Sequence, residues 1–132
     1  MSQILLRQST ASQVVWLGPF VDTAGAAVTG LTIANTDIKI RKLGSTAAVS
    51  KNSGGATHDA NGRYYCTFDA TDSNTLGSGR VDLTVSGALA VWHHFIVLPA
   101  EVYDSVVLGT GNGLRADVRG LLGSAWLTPT VD

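Results

Sequence analysis

The residues of this sequence with the clearest capacity for chemistry are three histidines, one cysteine and a scatter of aspartates. Two of the histidines, His93 and His94, stand side by side in VWHHFIVL, residues 91–98, the most apolar run of the chain. Imidazole serves as metal ligand and as general base, so the pair raises the question of a metal or catalytic site. In an extended strand, however, neighbouring side chains point to opposite faces. His93 then goes with Val91, Phe95 and Val97, and His94 with Trp92, Ile96 and Leu98. Two ligands pointing apart cannot hold one ion, and zinc needs three or four donors near one point. With no second cysteine and no HExxH spacing to supply them, neither metal nor cofactor is expected. One histidine is expected to hydrogen-bond at an end of the domain or at an interface, as partly buried imidazoles do.

The other candidates are no stronger. Cys66 alternates with Tyr64 and Phe68, which places it on the inward face of a strand as a small buried hydrophobe rather than a nucleophile. No GxSxG elbow offers a serine. Asp69 and Asp72 share a loop, as do His58 and Asp59; either pair could contribute to a calcium site, but turn and cap roles explain them more economically. The segment GTGNGL matches the dinucleotide-binding GxGxxG only at its first two glycines, and no βαβ unit surrounds it. Glu101 and dispersed aspartates do not indicate the facing carboxyl pair of a glycoside hydrolase. No catalytic residue is assigned, and the chain is expected not to be an enzyme.

The elements that must position these residues are strands. TDIKIRKLG and RVDLTVSG alternate apolar and polar residues, with Ile38 and Ile40 in the first and Val81, Leu83 and Val85 in the second. GRYYCTF alternates Tyr64, Cys66 and Phe68 against Arg63, Tyr65 and Thr67, after a turn at Ala60-Asn61-Gly62. Further strands are expected in the opening stretch, in QVVWLG, in GLTIA around Leu31–Ile33, in AAVSK and in VWHHFIVL, the last covered on two sides. In DATDSNTLGSG, Asp69 or Thr71 is expected to cap a short helical turn that Gly77 ends. About seven short strands separated by Gly, Ser, Asn and Asp clusters predict an all-β fold, an Ig-like antiparallel β-sandwich. The body should span 1–108, a glycine-rich linker 109–113, and a carboxyl-terminal arm, extended or partly helical, 114–132. After Pro99, residues 100–107 fit a short helix or an outer strand.

Composition narrows the function classes. A chain of 132 residues makes one domain. Apolar residues are 45% and charged residues 14%, a low charge content that implies that neighbours cover part of the surface. The net charge of -1, with nine scattered basic residues, argues against nucleic acid as a partner. No signal peptide or run long enough to span a bilayer is visible, so no membrane association is expected. Read as a helix, the arm sets Leu114, Val118, Leu121, Leu122 and Ala125 on one face, and its apolar residues need a surface to bury against, which makes Leu114, Val118, Leu121, Leu122 and Trp126 the expected protein interface. Trp16, Tyr65 and Trp92, with Trp126, could instead form a sugar-stacking platform, because an aromatic ring presents an apolar plane to sugar C–H groups.

The run THDANGRYYCTFDATDSNTLGSGRVDLTV, followed by GALAVWHHFIVLPAEVYDSVVLGT, resembles a domain of tailed-bacteriophage virion structural proteins, often found at the amino end of tail-fibre and other appendage proteins. The shared elements are Thr57-His58-Asp59, Gly62 to Tyr65, Asp69 to Asp72 with Thr75-Leu76-Gly77, Ala88 to His93, Val97 to Ala100 and Val102 to Ser105, within residues 10–118. The resemblance implies a virion component without catalysis, made in the host cytoplasm and partnered by other virion proteins and by copies of itself. Longer members continue into a stalk or repeats, whereas this sequence stops soon after GLLGSAW, which fits an adaptor or decoration protein better than a receptor-binding tip. The alternative is a carbohydrate-binding module that helps the particle adhere to a host-surface glycan.

Overall fold

The computed structural model describes residues 4–110. Linker residues 111–113 and the arm with Leu114, Val118, Leu121, Leu122 and Trp126 lie outside the described residues. The chain divides into two compact units, Met1–Ala100 and Glu101–Asp132.

The first unit is an all-β sandwich. Its larger sheet has the order β1 (Ile4–Arg7), β8 (Val91–Leu98), β7 (Gly77–Leu83), β3 (Ile38–Arg41), β4 (Val49–Ser50). Its smaller sheet has the order β2 (Gln13–Leu17), β6 (Arg63–Phe68), β5 (Thr57–Ala60). Period-two alternation fills the space between them. Leu6, Ile38, Ile40, Val81, Leu83, Phe95 and Val97 come from one sheet and Val15, Leu17, Tyr64, Cys66 and Phe68 from the other, all buried. The edge-to-face contact of Phe68 and Phe95, with centroids 5.8 Å apart, joins the two sheets directly.

Several expectations hold. The alternating segments are strands, and Asn61 (φ 54°) and Gly62 (φ 81°) make the two-residue turn of the β5–β6 hairpin, both in the left-handed region that such turns favour. Asp69 does cap a single turn: its Oδ1 accepts from the backbone N–H of Thr71 and of Asp72, both at 3.0 Å.

Others are corrected. The pairing of β1 with β8 is parallel, so the sandwich is antiparallel in all its ladders but one. GLTIA makes only the isolated bridge Ile33–Ala56, because the backbone N–H of Leu31 is spent on the Tyr64 hydroxyl at 3.0 Å. That hydroxyl donates in turn to the carbonyl of Val28 at 2.9 Å, so a fully buried tyrosine pins the long excursion between β2 and β3. Strand β7 begins at Gly77 rather than after it. At Gly79 an added Cβ would lie 2.4 Å from Cζ of Phe95, so the glycine supplies no side chain because the Phe95 ring occupies its space. Strand β8 is fully covered on one face only: Phe95 and Val97 are buried, while on the other face Trp92 and His94 are exposed and Ile96 and Leu98 half-buried.

The β1–β2 crossing is closed by one side chain. Gln13 Nε2 donates to the carbonyls of Arg7 and Thr10, both at 2.9 Å, and its Oε1 accepts from the Arg7 N–H at 2.7 Å. Ala100–Val106 forms helix α1 directly after Pro99, the helical one of the two outcomes expected there. Gly109, at φ 68°, follows its carboxyl end.

Candidate functional site

The adjacent histidines separate as period-two geometry requires. His93 points inward at the end of β8, and its Nε2 accepts the backbone N–H of Gly18, on the turn after β2, at 3.0 Å. Burial first, and the charge of His94 second, holds its imidazole below the ordinary 6.5. His93 is thus a neutral tie between the two sheets. The third histidine, His58, packs edge-on against Tyr64 with ring centroids 4.9 Å apart. Burial pushes the Cys66 thiol up to about 12, which keeps it protonated and un-nucleophilic.

The loop between β6 and β7 spends its acidic oxygens on backbone N–H groups and on the side-chain amide of Asn52. Asp72 is buried and accepts from the N–H of Asn52 at 2.9 Å and of Asp69 at 3.0 Å. The side-chain amide of Asn52, 2.7 Å from Asp69 Oδ2, and the Asp72 N–H hold the Asp69 carboxyl below its usual range. Lys51, at 2% exposure, donates to the carbonyls of Ser53 and Gly54, and buried Ser73 donates to that of Asp69 at 3.0 Å. This network ties the β4–β5 and β6–β7 loops together, and the Thr10 N–H, which donates to Ser73 Oγ at 3.3 Å, adds the β1–β2 loop. Among the described residues no group of His, Cys, Asp and Glu could hold a metal ion, and no buried side-chain nitrogen or oxygen lacks a partner.

What remains available to a partner is on the outer faces of the two sheets. On the small sheet, Trp16 (52% exposed) and Tyr65 are cross-strand neighbours with ring centroids 5.4 Å apart, tilted at 58°. Thr57 stands beyond Tyr65 in the same row, and Val14 and Thr67 form the next. A groove of about 400 Å³ lies beside Trp16, lined by Val14, Trp16, Arg63, Ile4 and His93 among others. Trp92 (55% exposed) is on the other sheet, so the three aromatics considered together in the sequence do not form one platform. Trp16 and Tyr65 meet, and Trp92 faces away from them.

The outer face of the large sheet is a charged grid that sequence reasoning did not single out. Strand register sets Lys39, Asp82 and Trp92 in one row and Arg41, Arg80 and His94 in the next. Asp82 holds both guanidinium groups, Oδ2 on Arg41 Nε at 3.0 Å and Oδ1 on Arg80 Nε at 2.9 Å. The alternation of IKIR and RVD marks each of these residues as outward, but only the pairing of β3 with β7 brings the arginines face to face. No protein-family model matches the chain, and no curated protein matches it.

Proposed function

We propose that this chain is a non-enzymatic structural subunit of a tailed-phage particle, a tail, neck or capsid adaptor, appendage or decoration protein. It works by burying surface on neighbouring virion proteins and on copies of itself. The observation that carries this reading is the outer face of the small sheet, where Val14 and Trp16 are each half exposed beside Tyr65 and no charged side chain lies in their two rows. Burial of apolar surface returns about 25 cal/mol per Å², so such a face gains most from a protein neighbour. The low charge content, and an order of motifs that resembles that of phage virion proteins, support the same reading. The arm with Leu114, Val118, Leu121, Leu122 and Trp126 is assigned the second contact, and closed symmetry would send it to an adjacent subunit.

The test is incorporation. Protein lacking residues 114–132 should keep a folded sandwich and fail to enter particles, and Trp16→Ser should enter poorly; normal incorporation of both would sink the proposal. The second reading, a module that binds a host-surface glycan, is favoured by the Trp16–Tyr65 ring pair and by Arg63 on the groove beside Trp16. It would displace the first if purified protein bound host polysaccharide, and if Trp16→Ala abolished that binding without unfolding the domain.

A further inference from the structure

The large sheet carries a feature that an inert assembly surface does not need. Arg41 and Arg80 are directly opposite each other on β3 and β7, and like charges in that position repel. Asp82 neutralises only one of them. Lys39 and His94 flank the pair, so the two rows carry a local excess of positive charge in a chain whose net charge is -1.

The way Asp82 holds the arginines matters. It engages each through Nε, Arg41 in a hydrogen bond and Arg80 in an ion pair, and among the described residues neither guanidinium makes a further hydrogen bond. The four Nη amino groups are therefore free, on side chains already oriented and still 46% and 44% exposed. A planar fork with its base fixed and its ends free is suited to a carboxylate, which it can grip with two parallel N–H···O bonds. In the adjoining row, directly across from Asp82, Trp92 offers an exposed ring face, and the recess between them has a volume of about 510 Å³ with the Thr36 and Thr84 side chains on its rim. An indole stacks on the C–H face of a pyranose.

We propose that the outer face of the large sheet is a binding site for an acidic sugar, the carboxylate gripped by the Arg41–Arg80 fork and the ring laid on Trp92. The site needs a ring and an anion a few ångströms apart, which a uronic acid unit supplies. A long polyanion is disfavoured, since the chain has no basic stripe to follow its backbone. The proposal is independent of the assembly reading, because it concerns the opposite face and requires only that this face be open.

The experiment uses the purified full chain and four probes followed by calorimetry and tryptophan fluorescence: a galacturonic acid tetramer, its methyl ester, a hexaglutamate peptide and inorganic phosphate. The acid tetramer should bind and the methyl ester should not. Arg80→Lys, which keeps the charge and removes the fork, and Trp92→Ala should each weaken binding by about tenfold or more, the usual effect of losing a charge-assisted contact. Trp16→Ala, on the other sheet, should leave it unchanged. Unaltered thermal midpoints would confirm that these surface variants fold. Failure of the acid tetramer to bind, or equal binding of the methyl ester, would overturn the proposal. Equal binding of hexaglutamate or phosphate would reduce the patch to a general anion surface and overturn the sugar assignment. Loss of binding in Trp16→Ala alone would move the site to the small sheet, with the same effect. Particle incorporation of Arg80→Lys should be normal, which separates this test from that of the assembly reading.

Discussion

The two outer faces of the sandwich each display one half-exposed tryptophan, yet they present opposite chemistry. Around Trp16 the nearest strand neighbours are Tyr65, Val14 and threonines, with Arg63 one row on. Around Trp92 they are Asp82, Lys39 and, one row on, two arginines and a histidine. An exposed tryptophan therefore does not define a site by itself; the residues that strand register sets beside it do. The first face gains by excluding water over a wide area, whereas the second offers directed donors and a single ring, which suits a small charged ligand.

The largest expected effect is loss of both faces together. Phe95 is buried beneath both sheets and touches Phe68. Phe95→Ala should lower unfolding free energy by about 3–5 kcal/mol, the range for deleting a core aromatic. Urea denaturation would measure it, and a loss below about 1 kcal/mol would show that the two sheets do not share one core as described.

A smaller change should discriminate between the faces. Gly79→Ala introduces a Cβ 2.4 Å from Phe95 Cζ and 2.7 Å from the backbone oxygen of Arg41. The ring can give way, but the carbonyl belongs to β3, so the strain falls on the strand that carries Lys39 and Arg41. Overpacking of this kind costs about 1–3 kcal/mol. In backbone NMR spectra the shifts should concentrate in β3 and β7 and leave Trp16 and Tyr65 near their original positions.

Much of this architecture is legible in the sequence, and the limits are physical. Alternation reports which side of its own strand a residue occupies, so Trp16, out of phase with Val15 and Leu17, and Trp92, out of phase with Phe95 and Val97, are both readable as outward. It does not report which sheet a strand joins, and for that reason the two tryptophans look like members of one platform until the pairing is known. Strand β5 escapes notice because THDA has no apolar alternation; pairing with β6 across the Asn61-Gly62 turn makes it a strand. Gly77 and Gly79 hide the start of β7 in the same manner, since a residue without a side chain cannot show which way it points.

Next in size are the surface variants. Trp92→Ser should change stability by no more than about 0.5 kcal/mol, as expected of an exposed position, and Trp16→Ser by about 0.5–1.5 kcal/mol, because it also loses the ring contact with Tyr65. Their readouts should diverge: Trp16→Ser should reduce association with particle proteins or with copies of the chain, and Trp92→Ser should not. Sedimentation at several concentrations would show it, and identical behaviour of the two would erase the distinction between the faces.

The smallest effect concerns the joint between them. His93 belongs to β8 of the large sheet, while the Gly18 N–H it accepts follows β2 of the small one. The bond requires an unprotonated Nε2, and burial keeps the folded imidazole below its ordinary 6.5. As pH falls through about 6.5, the unfolded chain takes up a proton that the folded chain still refuses. The unfolded state then binds more protons, so stability must decline from that point down to the folded value, with a slope limited to the uptake of less than one proton. Urea midpoints at pH 7.5 and pH 5.5 should differ in that direction, and His93→Gln, which can still accept the Gly18 N–H but does not titrate, should remove most of the difference. A difference that survived the substitution would place the pH sensitivity elsewhere and leave the two faces joined by packing alone.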